Sequence, residues 1–331
     1  MMKMNLMKKL SVVGILSLSL AACGSENAGS GSDGDSITVK LAHTGSESHQ
    51  YHIASEKFKE LVEEKTDGTV EVEIHPNATL GSEGEAIEQV MEGTIQMTTV
   101  AADSSLANVI PEMNVFGLPY LFEDKEHVYS VLDGEIGDEL LTKANDQNMK
   151  GLGYWEVGFR HLTNNKKEIN TPEDVKGLKI RVQPAPVWEN HMKALGANPT
   201  PVDFNELYSS LDQGVVDGQE NPLPTIDSMK FYEVQKYVSL TAHTYTPAVV
   251  LMNSNVWEDL SEEQQKAVEE AVKETTEYQR KFLADKEEEI VNTLKENGVT
   301  ITEPDRKAFR EVTKDVKNEQ VPDDLINRIK E

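Results

Sequence analysis

From Ser261 to Asn297 the chain contains neither proline nor glycine, a run of 37 residues. Glu, Lys, Gln and Ala dominate it, and all four are good helix formers. At a rise of 1.5 Å per residue, one unbroken helix would be about 55 Å long. That exceeds the width of one small domain. Either a disguised break divides the segment into two helices, or a single helix braces two bodies; the second is the expectation. A length of 331 residues allows two ordinary domains.

The segments before it alternate between strand and helix periodicity. Ile37, Val39 and Leu41 alternate as in a half-buried strand, and Ala54, Phe58, Leu61 and Val62 recur at helical spacing. Gly68 is the expected stop. Val70, Val72 and Ile74 alternate again, a helix runs from about Glu83 to Met91 with its stop at Gly93, and Ile95 to Val100 reads as the next strand. This order predicts a parallel sheet with covering helices. A second α/β unit begins after Gly151, with a strand ending near Val157. Thr171 and Pro172 then start a short helix stopped by Gly177, followed by a strand over Leu178–Val182 and a helix over Pro186–Leu195. Asp203 with Glu206 resembles a capping pair for a helix carrying Leu207 and Leu211. The expected fold class is therefore α/β, in two similar units. Ligands of open α/β sheets gather at the carboxyl ends of the strands.

Positions 1–22 read as an export signal. Lys3, Lys8 and Lys9 precede an apolar run, Leu10 to Leu20, that is short for a membrane span. Leu20-Ala21-Ala22-Cys23 follows and resembles a bacterial lipobox, in which the cysteine receives a lipid and becomes the mature N-terminus. Cys23 is the chain's single cysteine, so an intrachain disulfide is excluded. Residues 23–36 are rich in Gly, Ser, Asn and Asp and suit a flexible tether. The expectation is an extracytoplasmic protein anchored to membrane lipid through Cys23. The formal charge is −26, and −29 without the three lysines of the signal (−26 less 3). Such a field repels nucleic acid, so no nucleic-acid partner is expected. An anionic ligand would need local cations to overcome it.

Arginine is scarce. Against 26 lysines there are six arginines, and only Arg160 and Arg181 occur ahead of Arg280. Both follow closely on expected strands. A guanidinium is planar, stays charged and matches a carboxylate two bonds at a time, whereas lysine offers a point charge. The two arginines are thus candidates for holding an acid. Pairing with an internal Asp or Glu is the competing reading.

Several stretches then resemble one family: residues 116–122, 158–164, 177–182, 195–201, 206–208, 216–222 and 231–237 are similar, in order and spacing, to the solute-receptor subunits of TRAP transporters, the DctP-like family. The likeness runs from about Ile37 to the long helix. It implies a two-lobed fold like that of periplasmic binding proteins, with a long helix spanning both lobes. The first lobe would comprise positions 37–158 and 247–286, and the second lobe positions 159–246 and 287–331. The resemblance implies closure on a small carboxylate ligand, delivery to a membrane permease, and no enzymatic activity. It places the carboxylate-clamping arginine at Arg181, a second ligand arginine at Arg160, a ligand asparagine at Asn221 and a pocket aromatic at Phe204. His49, Gln50 and Glu83 fall where sugar-acid binders supply polar contacts. Relatives often carry arginine where this chain has Gly84.

His49 and His52 have metal-pair spacing, but no further ligands accompany them, and no metal or cofactor is expected. No phosphate loop, dinucleotide fingerprint or Gly-x-Ser-x-Gly elbow occurs. Trp155, Trp188 and Trp257 read first as packing residues, with Trp155, near the cleft strand, the best exception for stacking on a ligand. The expected ligand is a sugar acid such as a hexuronate. A C4-dicarboxylate, or service to a sensor kinase in place of a permease, are the alternatives.

Overall fold

The computed structural model describes residues 36–331. The signal-like run, Cys23 and nearly all of the tether lie outside these residues, so the lipobox and tether readings are untouched by it.

The elements alternate as the periodicity predicts. Strand β1 (Ile37–Ala42) leads to α1 (Gln50–Lys65), β2 (Val70–His75), α2 (Glu83–Glu92) and β3 (Met97–Ala101). Helix α2 begins with a capping box between Ser82 and Glu85 and ends at Gly93 in the left-handed conformation. Short helices α3 (Leu106–Val109), α4 (Lys125–Leu132) and α5 (Glu135–Thr142) precede β4 (Met149–Asn164). Then follow β5 (Lys179–Val182), α6 (Pro186–Ala194), β6 (Asn198–Pro201), α7 (Leu207–Asp212), β7 (Gly218–Pro222), α8 (Leu223–Ser228), β8 (Tyr237–Ser239) and β9 (Tyr245–Asn253). The chain closes with α9 (Ser254–Asp259), α10 (Glu262–Glu296), β10 (Thr300–Thr302), α11 (Arg306–Thr313) and α12 (Asp323–Lys330).

Three expectations are corrected. The strand expected to stop near Val157 is 16 residues long and runs on to Asn164. Gly158 does not end it. At φ 121° that glycine forms a bulge between Glu156 and Gly158, and the strand bends and continues. Arg160 therefore sits inside a strand. Asp203 and Glu206 do not form a side-chain cap; a 3-10 turn over Phe204–Glu206, closed by backbone bonding, precedes α7. The sheet is also not purely parallel: β1 pairs parallel with β2 and β3, but β9 runs antiparallel to both β3 and β4. Alternation along a strand carries no information about its direction.

Strand β4 joins the two halves. Through Met149–Phe159 it pairs with β9, in the half-sheet ordered β2-β1-β3-β9-β4. Through Arg160–Asn164 it pairs with β7, in the half-sheet β4-β7-β5-β6. The long helix spans both. Val268, Ala271 and Val272 of α10 pack with Phe58, Val62 and Trp155 in one core, while Ile290 and Leu294 pack with Leu207, Ile226 and Phe231 in another. At 35 residues α10 is one continuous helix, about 52 Å long. Among the described residues, no helix is long and apolar enough to cross a membrane.

At the middle of α10 the fully buried Gln279 replaces missing backbone partners. Its Nε2 donates to the carbonyls of Gln50 (2.8 Å) and Glu156 (3.3 Å), and its Oε1 accepts from the Glu156 N–H (2.6 Å). Gln279→Leu keeps the bulk and removes three hydrogen bonds to buried backbone groups. An expected stability loss of about 1–3 kcal/mol would be read from the urea midpoint, and an unchanged midpoint would show that these bonds carry no stability.

Candidate functional site

Both arginines found by their scarcity are buried. Arg160 and Arg181 are each 1% exposed. Burying a guanidinium is costly unless its donors and charge are met, and the two differ in how this is done.

Arg160 has an internal counterion. Its Nε donates to Glu220 Oε2 at 2.5 Å and its Nη2 to Glu220 Oε1 at 3.0 Å, a two-bond fork between fully buried partners. Nη2 also reaches the Glu220 carbonyl (2.8 Å) and Asn221 Oδ1 (3.0 Å), and Nη1 reaches Thr246 Oγ1 (3.3 Å). The indole of Trp188 lies against it, 5.1 Å from ring centre to guanidinium carbon. Despite burial, Arg160 and a hydrogen bond from His243 hold the Glu220 carboxyl down at about 2. The competing sequence reading, an internal ion pair, thus holds for this arginine. Glu220 was not foreseen. It lies two residues from Pro222, the register partner of Arg160, within reach of a long side chain across the ladder.

Arg181 has no such partner. Its Nε donates to the Val202 carbonyl at 2.8 Å, and its Nη1 is buried with no hydrogen-bond partner among the described residues. Burial pushes its pKa down to about 10, partly offset by Glu220, Glu83 and Asp203 in its surroundings. A buried, unmatched fork of donors is an acceptor-seeking group.

Most of the expected site residues gather at one small cavity, whose lining includes Arg160 but neither Arg181 nor Gln50. His49, Tyr51, Glu83, Arg160, Phe204 and Asn221 line it together with Gln183 and Thr225. His49 is the N-cap of α1. Its Nδ1 accepts from the Tyr51 N–H (3.1 Å), which leaves Nε2 protonated and facing Thr225 Oγ1 at 3.4 Å, and burial keeps the ring neutral. Its ring packs edge-on against half-buried Phe204, 5.8 Å between centroids. Glu83 opens α2 and accepts from the Ala101 N–H (3.2 Å), while burial raises its pKa. Asn221 keeps one amide hydrogen after donating to Gln219 Oε1 at 2.5 Å. Gln50 lies one layer back: Nε2 binds Thr225 Oγ1 (2.8 Å) and the Val157 carbonyl (3.3 Å), and Oε1 has no partner among the described residues. Gly84 is on the same helix as Glu83, and a β-carbon there would meet nothing nearer than Ser105 Oγ at 3.7 Å. His49 and His52 do not converge; His52 Nδ1 faces His43 Nε2 at 3.2 Å. Trp155 is a core residue against Phe58, and the indole at the site is that of Trp188.

Asp103 was also missed. It is fully buried, accepts from Thr246 Oγ1 (2.8 Å) and Gln183 Nε2 (3.4 Å), and burial pushes its carboxyl up to about 7. Glu220 is thus held low, whereas burial raises Glu83 and Asp103. Glu220 pairs with Arg160, and Arg181 forms no ion pair among the described residues.

The halves meet tightly over this cavity, whose volume is ≈ 20 Å³, the space of about one water. Hydrogen bonds across the cleft hold it shut: Trp188 Nε1 to the Asp103 carbonyl (2.8 Å), Asn108 Nδ2 to the Pro184 carbonyl (2.7 Å) and Ser46 Oγ to the Ser228 carbonyl (3.1 Å). A larger solute enters only when the halves part.

Residues 41–323 match the family described as bacterial extracellular solute-binding protein, family 7. The chain belongs to this family, the solute receptors of TRAP transporters. The 2,3-diketo-L-gulonate-binding periplasmic protein of Escherichia coli is 39% identical over 273 residues, 82% of this chain and 83% of that one. The fold superposes on a TRAP periplasmic solute-binding protein of Polaromonas, bound to D-erythronate, at TM-score 0.84 and 36% identity, covering 89% and 98% of the two chains. A TRAP solute-binding protein of Xanthobacter autotrophicus with bound β-D-galacturonate gives TM-score 0.84 and 33% identity, covering 88% and 99%. The two-lobed architecture and the receptor class expected from the resemblance are thereby established.

Two outcomes test the electrostatics. Glu220→Gln removes the counterion of a buried guanidinium and should lower stability by about 3–5 kcal/mol, read by urea unfolding at pH 7.5. For Asp103, the folded state holds a proton that the unfolded chain releases near pH 4. Its contribution is full below that pH and lost as the pH rises through about 7. His43 and His161, both lowered to about 3 by burial, act in the opposite sense between pH 3 and 6.5. The difference between Asp103→Asn and the parent isolates the carboxyl: the variant should gain relative stability from pH 4.5 to 7.5, and parallel profiles would contradict the raised pKa.

Proposed function

We propose that this receptor captures a sugar acid, with a hexuronate the first choice, and delivers it to a TRAP membrane permease. The observation that carries the reading is Arg181 Nη1, buried with no hydrogen-bond partner among the described residues. A carboxylate accepting from Nη1 and its neighbour would complete that side chain and reverse the desolvation that depresses it. Arg160 serves as the helper through the Nη1 hydrogen left free by Thr246. Asn221 offers its spare amide hydrogen, and Phe204 covers an apolar face of the ligand. His49, Glu83 and Gln50 offer a row of donors and acceptors suited to hydroxyls along a polyol chain. The lobe division is residues 37–158 with 247–286 against residues 159–246 with 287–331, although Arg328 bonds back to Glu139 (2.7 Å) and fastens the last helix to the first lobe. Cys23 is the lipid attachment point, residues 1–22 are the signal that is removed, and 23–36 are the tether. The bound acid leaves unaltered, without turnover and without metal or cofactor.

Thermal unfolding with D-galacturonate tests the site. A ligand at about 100 times its Kd adds about 2.7 kcal/mol to apparent stability. Arg181→Ala should abolish the gain, and Arg181→Lys should leave little of it, because an ammonium cannot reproduce the fork. An undiminished gain in Arg181→Ala would sink the assignment. A larger gain with succinate than with galacturonate would move the ligand class to C4-dicarboxylates.

A further inference from the structure

A second cavity, ≈ 890 Å³, also borders β4 and shares Val157 with the cleft cavity. Side chains of β4 alternate between the two: Phe159 and His161 face this groove, and Arg160 faces the cleft. Pro222, Leu223, Pro224 and Leu283 extend the floor of Phe159 into an apolar wall.

Charges stand at its two ends, and only one end is matched. At one end Glu156 accepts from the Tyr129 hydroxyl (2.5 Å) and pairs with Lys125 (3.1 Å), Glu287 shares that lysine (3.8 Å), and Asp124 caps α4. Glu123 is exposed at the mouth. At the other end stand Arg306, Lys307 and Arg310 of α11, all exposed. Arg306 Nε donates to the Leu240 carbonyl (3.0 Å), and Arg310 lies over the Tyr120 ring at 5.4 Å. Among the described residues these three cations enter no ion pair, in a chain with 58 acidic side chains. Arg306 and Arg310 are four residues apart and share a helix face, where like charges repel.

We infer that this groove is a second binding site, for an amphipathic monoanion: an apolar body on the Phe159–Leu283 wall and an acidic head between Arg306 and Arg310. The volume falls in the range usual for small-molecule sites, a few hundred cubic ångströms and upward. The apolar wall supplies contact area, and the unmatched arginines supply forks for one acid group. A polyol acid suits the cleft and not this wall, so the two sites select different solutes.

The probe is 8-anilinonaphthalene-1-sulfonate, titrated by fluorescence into the folded receptor, with octanoate as competitor. The expected result is one saturable site, displaced by octanoate and weakened roughly tenfold or more in Arg306→Ala/Arg310→Ala. Both positions are exposed, so that variant should melt like the parent and keep its galacturonate response. Arg181→Ala should leave probe binding unchanged. Equal affinity in the double variant, loss of binding in Arg181→Ala, or no saturable signal would each overturn the assignment. Capture of an acidic peptide with apolar side chains, without the sulfonate probe, would give the groove to a protein partner and overturn it as well.

Discussion

Two positive charges are taken out of water at the centre of a strongly acidic protein, and much of the site is arranged around that fact. A buried guanidinium demands acceptors. For Arg160 the demand is met within the fold by Glu220, and the pair welds β4 to β7 where the chain crosses between halves. For Arg181 it is not met. On the proposed function, a carboxylate at Arg181 would pair a buried cation and so favour the closed form over the parted halves.

The neighbouring acids sharpen this. Were Glu83 and Asp103 both ionised, they would neutralise the site and repel an acidic solute. Burial raises both carboxyls, and Thr246, which takes a bond from Arg160 and gives one to Asp103, separates that acid from the guanidinium by one hydroxyl.

Much of this is legible in the amino-acid sequence. The elements from Ile37 to Val100 follow from alternation and glycine stops, and α10 from the absence of breakers. Rarity alone picks out Arg160 and Arg181. Their different fates are not readable, because the Arg160–Glu220 pair joins residues 60 apart through a strand register that local patterns do not encode. Gly158 looks like a stop and is a bulge, since glycine serves both. Trp155 and Trp188 cannot be ranked by pattern, because one turns to the α1–α10 core and the other to the arginine. Asp103 gives no signal of its own; its meaning comes wholly from being enclosed.

Strands β4 and β9 and helix α10 have a further consequence. They keep the two walls of the cleft joined, so the second wall is never lost to diffusion while the first holds a solute. Closing is intramolecular, with an effective concentration set by the linkage and independent of how dilute the receptor is. The helix is packed into both cores and hydrogen-bonded through Gln279 to α1 and β4. The chain thus carries little of the search entropy that two separate modules would lose on meeting around a small molecule.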